Sequence, residues 1–134
     1  MSLPNVGGGY QVGDGNIEAQ LRVQAAPATF TATAAISVSD LLSQIITADK
    51  GSDAATTMTL PTVALLEATL TQAKTDSYFD LSIINVAVGS SATVTIAIGT
   101  GWTLVGLKTI PYLTSGMFRA RKTGAGAWSL YRLA

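Results

Sequence analysis

Few side chains in this sequence can do chemistry. The carboxylates are Asp14, Glu18, Asp40, Asp49, Asp53, Glu67, Asp76 and Asp80, and the 134 residues include no histidine and no cysteine. Without histidine, the usual general base and the usual transition-metal ligand are missing, and a Ser-His-Asp relay cannot be assembled. Without cysteine there is no disulfide, thiolate zinc site or thiol nucleophile, and the redox compartment stays open. Paired carboxylates are the remaining catalytic option. Asp49 and Asp53 share a polar loop, and Asp76 and Asp80 flank a strand start. Either pair has the hard oxygens that calcium prefers, and two carboxylates are also the toolkit of a glycosidase. Solvated loop acids are the simpler account, because a chain with two Glu offers little with which to build a substrate cleft. The glycines at Gly99 and Gly101 lack the lysine and following helix of a phosphate loop. The expectation is no catalytic residue, no cofactor and no metal.

Trp102 and Trp128, with Tyr78, Tyr112 and Tyr131, have rings that stack on sugars or bases. On strands, such rings more often fill a core. Charge is sparse at 12%, against 48% hydrophobic residues, and Thr and Ser together number 29. Average domains carry about twice that share of charge. Such a surface is either coated with hydroxyls or covered in an assembly, and the second reading is preferred. Net charge is zero but polarised: residues 1–107 sum to −5 and residues 108–134 to +5. The basic C-terminal strands then either lie beside acids of the same fold or meet an acidic partner. Five cations without clustered aromatics do not point to nucleic acid.

The pattern along the chain is mostly that of strands. In Phe30–Val38 the even positions are apolar, a period of two. Ser39 can cap a short helix carrying Leu41, Leu42, Ile45 and Ile46. Thr56–Leu60 alternates again and stops at Pro61; Thr62 can then cap a helix over Val63–Ala73, with Val63, Leu66 and Leu70 on one face. From Ser77 onward only strands and turns are expected, at Tyr78–Val88, Ala92–Ile98, Trp102–Val105, Leu107–Tyr112, Met117–Arg121 and Trp128–Leu133. In one of the last two, Met117, Arg119 and Arg121 share a face opposite Phe118 and Ala120. In the other, Trp128, Leu130 and Arg132 oppose Ser129, Tyr131 and Leu133. The fold class expected is mainly β: an antiparallel β-sandwich or jelly-roll-like domain with one or two short helices. A purely parallel α/β sheet is disfavoured, since the last third has no room for crossover helices.

Residues 1–16 hold Pro4 and five glycines and read as an extended N-terminal arm, leaving 17–134 as a single β-rich domain. The arm is either a loose tail or a segment ordered against a neighbour, where Val6, Tyr10 and Val12 would be buried. It has neither the basic nor the apolar region of a signal peptide, and no apolar run approaches a membrane span, so synthesis in the cytoplasm and no membrane partner are expected.

Several stretches resemble, in order, small virion proteins of tailed bacteriophages. They are the glycine-rich start Gly7–Asn16; Leu41–Thr47; Thr57–Thr62 and its helix; Phe79–Asn85; Val94–Ala97 with Gly99–Gly106; and the ending Phe118–Arg121 to Leu130–Arg132. The resemblance spans most of the chain. It does not separate capsid decoration, or cement, proteins from head-fibre or tail-fibre modules; decoration is the leading reading. Decoration proteins imply a β-rich homotrimer seated on the lattice of the major capsid protein, on the virion surface and made in the host cytoplasm, with no catalytic residues to carry over. On that reading Arg119, Arg121, Lys122 and Arg132 would face capsid acids, and Val6, Tyr10 and Val12 would contact the capsid or a neighbouring protomer. The alternative is a fibre module that binds a receptor or carbohydrate through Trp102 or Trp128.

Overall fold

A computed structural model describes residues 21–51 and 53–134. Those residues form the strands β1 (Ala28–Phe30), β2 (Ala34–Ala35), β3 (Ile45–Ala48), β4 (Thr56–Thr59), β5 (Tyr78–Asn85), β6 (Val94–Ala97), β7 (Trp102–Val105), β8 (Thr109–Ile110), β9 (Ser115–Gly124) and β10 (Ala127–Arg132). Two short helices join them, α1 (Val38–Leu42) and α2 (Val63–Thr69). The chain is mainly β, as its alternation predicts.

The strands fall into a six-stranded sheet, ordered β1-β3-β5-β9-β10-β7, and a four-stranded sheet, ordered β2-β4-β6-β8. Consecutive strands as far as β9 alternate between the two sheets. Over the first six strands each return to a sheet runs the same way, so β1, β3 and β5 are parallel, as are β2, β4 and β6. Antiparallel pairs follow only where β9 meets β5 and β10 and where β8 meets β6. Both sheets are therefore mixed, which corrects the antiparallel expectation. Parallel neighbours usually need long helical crossovers, but here the crossover is a strand of the opposite sheet.

Two local expectations also change. The alternating stretch around Phe30–Val38 is not one strand: the chain bends at residues 32–33, so β1 and β2 belong to different sheets. The first helix starts earlier and is shorter than its apolar spacing suggests. Its cap is Ser37, whose hydroxyl accepts the Asp40 amide at 3.1 Å. It ends at Leu42, because the Ser43 hydroxyl donates to the Asp40 carbonyl at 2.6 Å and Gln44 adopts a φ of 68°. Ile45 and Ile46 then pair in β3 between β1 and β5, where β-branched side chains pack well. The second helix is capped by Thr62 as expected, with its hydroxyl accepting the Leu65 amide.

A single hydrophobic cluster draws on both sheets and both helices, including Leu41, Met58, Leu66, Ile83, Ile96, Phe118, Trp128 and Leu130. The Trp128 ring lies 6.0 Å from that of Trp102 and 5.9 Å from that of Phe79, at tilted angles. Trp102 also donates its indole N–H to the Pro61 carbonyl at 2.8 Å, which ties β7 to the start of α2. Asn85, almost fully buried at the end of β5, links the two sheets. Its Nδ2 donates to the carbonyls of Ala92 (2.6 Å) and Ile110 (3.1 Å), and its Oδ1 accepts the Ala87 amide (3.2 Å).

Candidate functional site

The basic side chains singled out by the sequence sit on β9 and β10, and alternation along β9 separates them. Phe118 and Ala120 point into the core, so Arg119 and Arg121 emerge on the opposite face. There Arg119 lies directly across from Asp80 of β5. It grips that carboxylate with both limbs of the guanidinium, at 2.7 and 3.0 Å, while its central carbon lies 4.2 Å from the centre of the Tyr78 ring. Arg121 donates to Asp76 and, at 3.2 Å, to the Tyr131 hydroxyl. The hydrogen bond from Arg119 holds the Asp80 carboxyl below its ordinary range. The same bond holds the Arg119 guanidinium above its own range; for Arg121 the bonds to Tyr131 and then Asp76 do so.

Lys122 has the parity of Phe118 and Ala120, so its stem runs along the edge of the core. Its ammonium reaches Glu67 of α2 at 3.2 Å and the Ala73 carbonyl at 3.1 Å. Glu67 also accepts from the Trp128 indole and the Gly126 amide, both at 3.2 Å. Burial would raise its pKa, but the bonds from Lys122, Trp128 and Gly126 together outweigh that and lower it. Arg132 lies over the Phe118 ring at 5.1 Å and donates to the carbonyls of Thr109, Leu107 and Ala134. Three of the four cations assigned to an outside partner thus pair with acids of their own fold, the first of the two arrangements that the charge asymmetry allowed.

The candidate acids turn out to brace loops and strands. Asp49 accepts the Gly51 amide at 3.0 Å, and Asp53 accepts the Ser91 amide. Among the described residues no three potential metal ligands converge. Trp102 and Trp128 are buried, so the sugar-stacking surface that a fibre module would need does not include them. Val6, Tyr10 and Val12 lie outside the described residues.

What the surface displays is apolar. Leu21 and Val23 are 92% and 102% exposed on extended chain ahead of β1, and Val88 and Leu107 are 80% and 69% exposed. An open groove of about 410 Å³ runs between the end of α2 and β5, lined by Leu42, Leu70, Ala73, Tyr78, Phe79 and Trp128 among others. Sequence reasoning missed Glu67 and Asn85. For Asn85 the sequence carries a signal: with Leu81 and Ile83 it occupies the buried parity of β5, the one polar residue in that series. Comparison of the chain with protein-family models, with curated proteins and with solved structures finds no match.

Proposed function

We propose that this chain is a structural virion protein that binds the outer surface of a phage capsid as a trimer and stabilises the shell. Its two mixed sheets are read as the layers of a sandwich. The observation that carries the proposal is the division of its side chains. The ionic groups of β5, β9 and α2 are consumed within the fold, whereas large apolar side chains at Leu21, Val23, Val88 and Leu107 face outward. A surface of that kind gains free energy when another protein surface covers it. Scarce charge leaves little to oppose self-association. The resemblance of the sequence's motif order to small phage virion proteins suggests the partner. A protein that binds only the assembled lattice stabilises it by mass action, and a trimer engages several lattice subunits at once.

The test is quantitative. Purified virions or emptied heads should carry the protein at a copy number in simple ratio to the major capsid protein, and heads stripped of it should burst at lower temperature. A handful of copies per particle, or presence on tails alone, would refute the assignment. In solution, the mass by analytical ultracentrifugation should be three times the chain's 13.8 kDa.

A further inference from the structure

The sequence ahead of β1 alternates like that of a strand. In Ile17-Glu18-Ala19-Gln20-Leu21-Arg22-Val23-Gln24 every odd position is apolar and every even one polar. That is the pattern of a strand with one face buried. Yet Leu21 and Val23 stand clear of their own domain, at 92% and 102% exposure. The segment leaves the domain beside the apolar groove: the Gln24 side chain donates to the carbonyl of Ser43, the residue next to Leu42 in the groove wall. An extended chain covers about 3.3 Å per residue, so Leu21 lies within about 10 Å of that tether. It is close enough to have folded into its own groove, and it has not done so.

We propose that Leu21 and Val23 seat in the Leu42–Leu70–Phe79–Trp128 groove of a second copy of this chain. Lys74 directly follows the groove residue Ala73, and the polar positions of the segment's sequence include Glu18, of opposite charge. Each copy carries one segment and one groove. Such a contact is either exchanged reciprocally in a twofold dimer or passed head-to-tail around a ring. The inference rests on the self-assembly proposed above and names the contact that would build it.

Because the chain has no cysteine, introduced thiols are unique reporters. V23C and T71C chains are purified separately, mixed and oxidised; Thr71 lines the groove and is exposed. The expected result is a V23C–T71C disulfide between chains, formed at least tenfold more than V23C pairs with T103C on the exposed face of β7. The double variant L21D/V23D should associate at least tenfold more weakly, and its melting temperature should equal that of the wild type at concentrations where both are monomeric, since neither side chain is packed in the single chain. The inference is overturned if the mixed disulfide forms no better than the control. It is also overturned if V23C/T71C closes within one chain. Oligomers that persist in L21D/V23D would remove the arm exchange and leave the assembly reading standing. A wild-type chain that is monomeric at every concentration would remove both.

Discussion

Replacing Asn85 by alanine should be among the most damaging single changes to this domain, although Asn85 has no role in any surface. The side chain is 1% exposed and makes three hydrogen bonds, all to backbone groups. Two of its partners lie on the path into or within the four-stranded sheet: Ala92 ahead of β6, and Ile110 in β8. Truncation strands two carbonyls and the Ala87 amide in a buried site. Each unsatisfied buried group costs about 1–3 kcal/mol, and water entering the vacated space recovers part of it. The expected loss is about 3–5 kcal/mol, a large fraction of the roughly 5–15 kcal/mol that holds a domain together. Urea unfolding followed by tryptophan fluorescence measures it directly, since Trp102 and Trp128 both sit in the core. Asn85→Leu should not rescue the loss, because the stranded partners belong to the backbone and cannot be replaced with it. Asn85→Asp places a carboxylate against two carbonyl oxygens, so its deficit should shrink as pH falls and the acid protonates. Ser82→Ala, on the half-buried face of the same strand, should change stability by less than about 0.5 kcal/mol. A loss below about 1 kcal/mol for Asn85→Ala would refute the view that this amide joins the sheets.

Two further outcomes follow from the charges and the turns. Asp80 and Glu67 have carboxyl pKa values below their ordinary ones, so their stabilisation is complete above the unfolded-state values and is lost as pH falls through the folded-state values. Stability should therefore decline on the acid side of about pH 4, and Asp80→Asn should make that decline shallower; urea midpoints that fall in parallel for both proteins would contradict it. Gly101 has a φ of +94°, and a Cβ there would sit 2.7 Å from Val63 Cβ and 2.9 Å from the Gly126 carbonyl oxygen. Gly101→Ala should cost at least about 1–2 kcal/mol from the backbone conformation alone. Gly124→Ala, which meets nothing within 4 Å, should cost much less.

Where one element's own residues decide its state, the sequence is readable. The Thr62 cap and the Val63/Leu66 face mark α2, and the parity of Phe118 and Ala120 is enough to assign the faces of β9. The spacing of Leu41, Leu42, Ile45 and Ile46 suits a helix equally well. There the outcome is decided by the ladder that β3 forms with β1 and β5, a contact between residues distant in sequence. Strand order is hidden for the same reason. Nothing local to Phe30–Val38 says that the chain changes sheets at residues 32–33.

The charge asymmetry is also readable, but its meaning depends on strand order. A net of −5 before residue 108 and +5 after it describes equally a molecule with a basic docking face and one that neutralises itself. Register decides between them. Because β9 is laid antiparallel on β5, Arg119 lands opposite Asp80, and the turn ahead of β5 carries Asp76 to Arg121. Exposed pairs of this kind add little to stability, typically under about 1 kcal/mol each. Their larger effect is on recognition, since a guanidinium already held by both limbs has little left to offer an acidic partner. On the proposed function, attraction to a capsid or to another copy would then fall mainly to apolar contact, which salt does not screen. Binding to emptied heads should hold from about 50 mM to about 500 mM NaCl, a range over which the screening length of exposed charges shrinks several-fold. A tenfold loss of affinity across that range would mean that the arginines leave Asp76 and Asp80 on docking, and that the charged face is the interface after all.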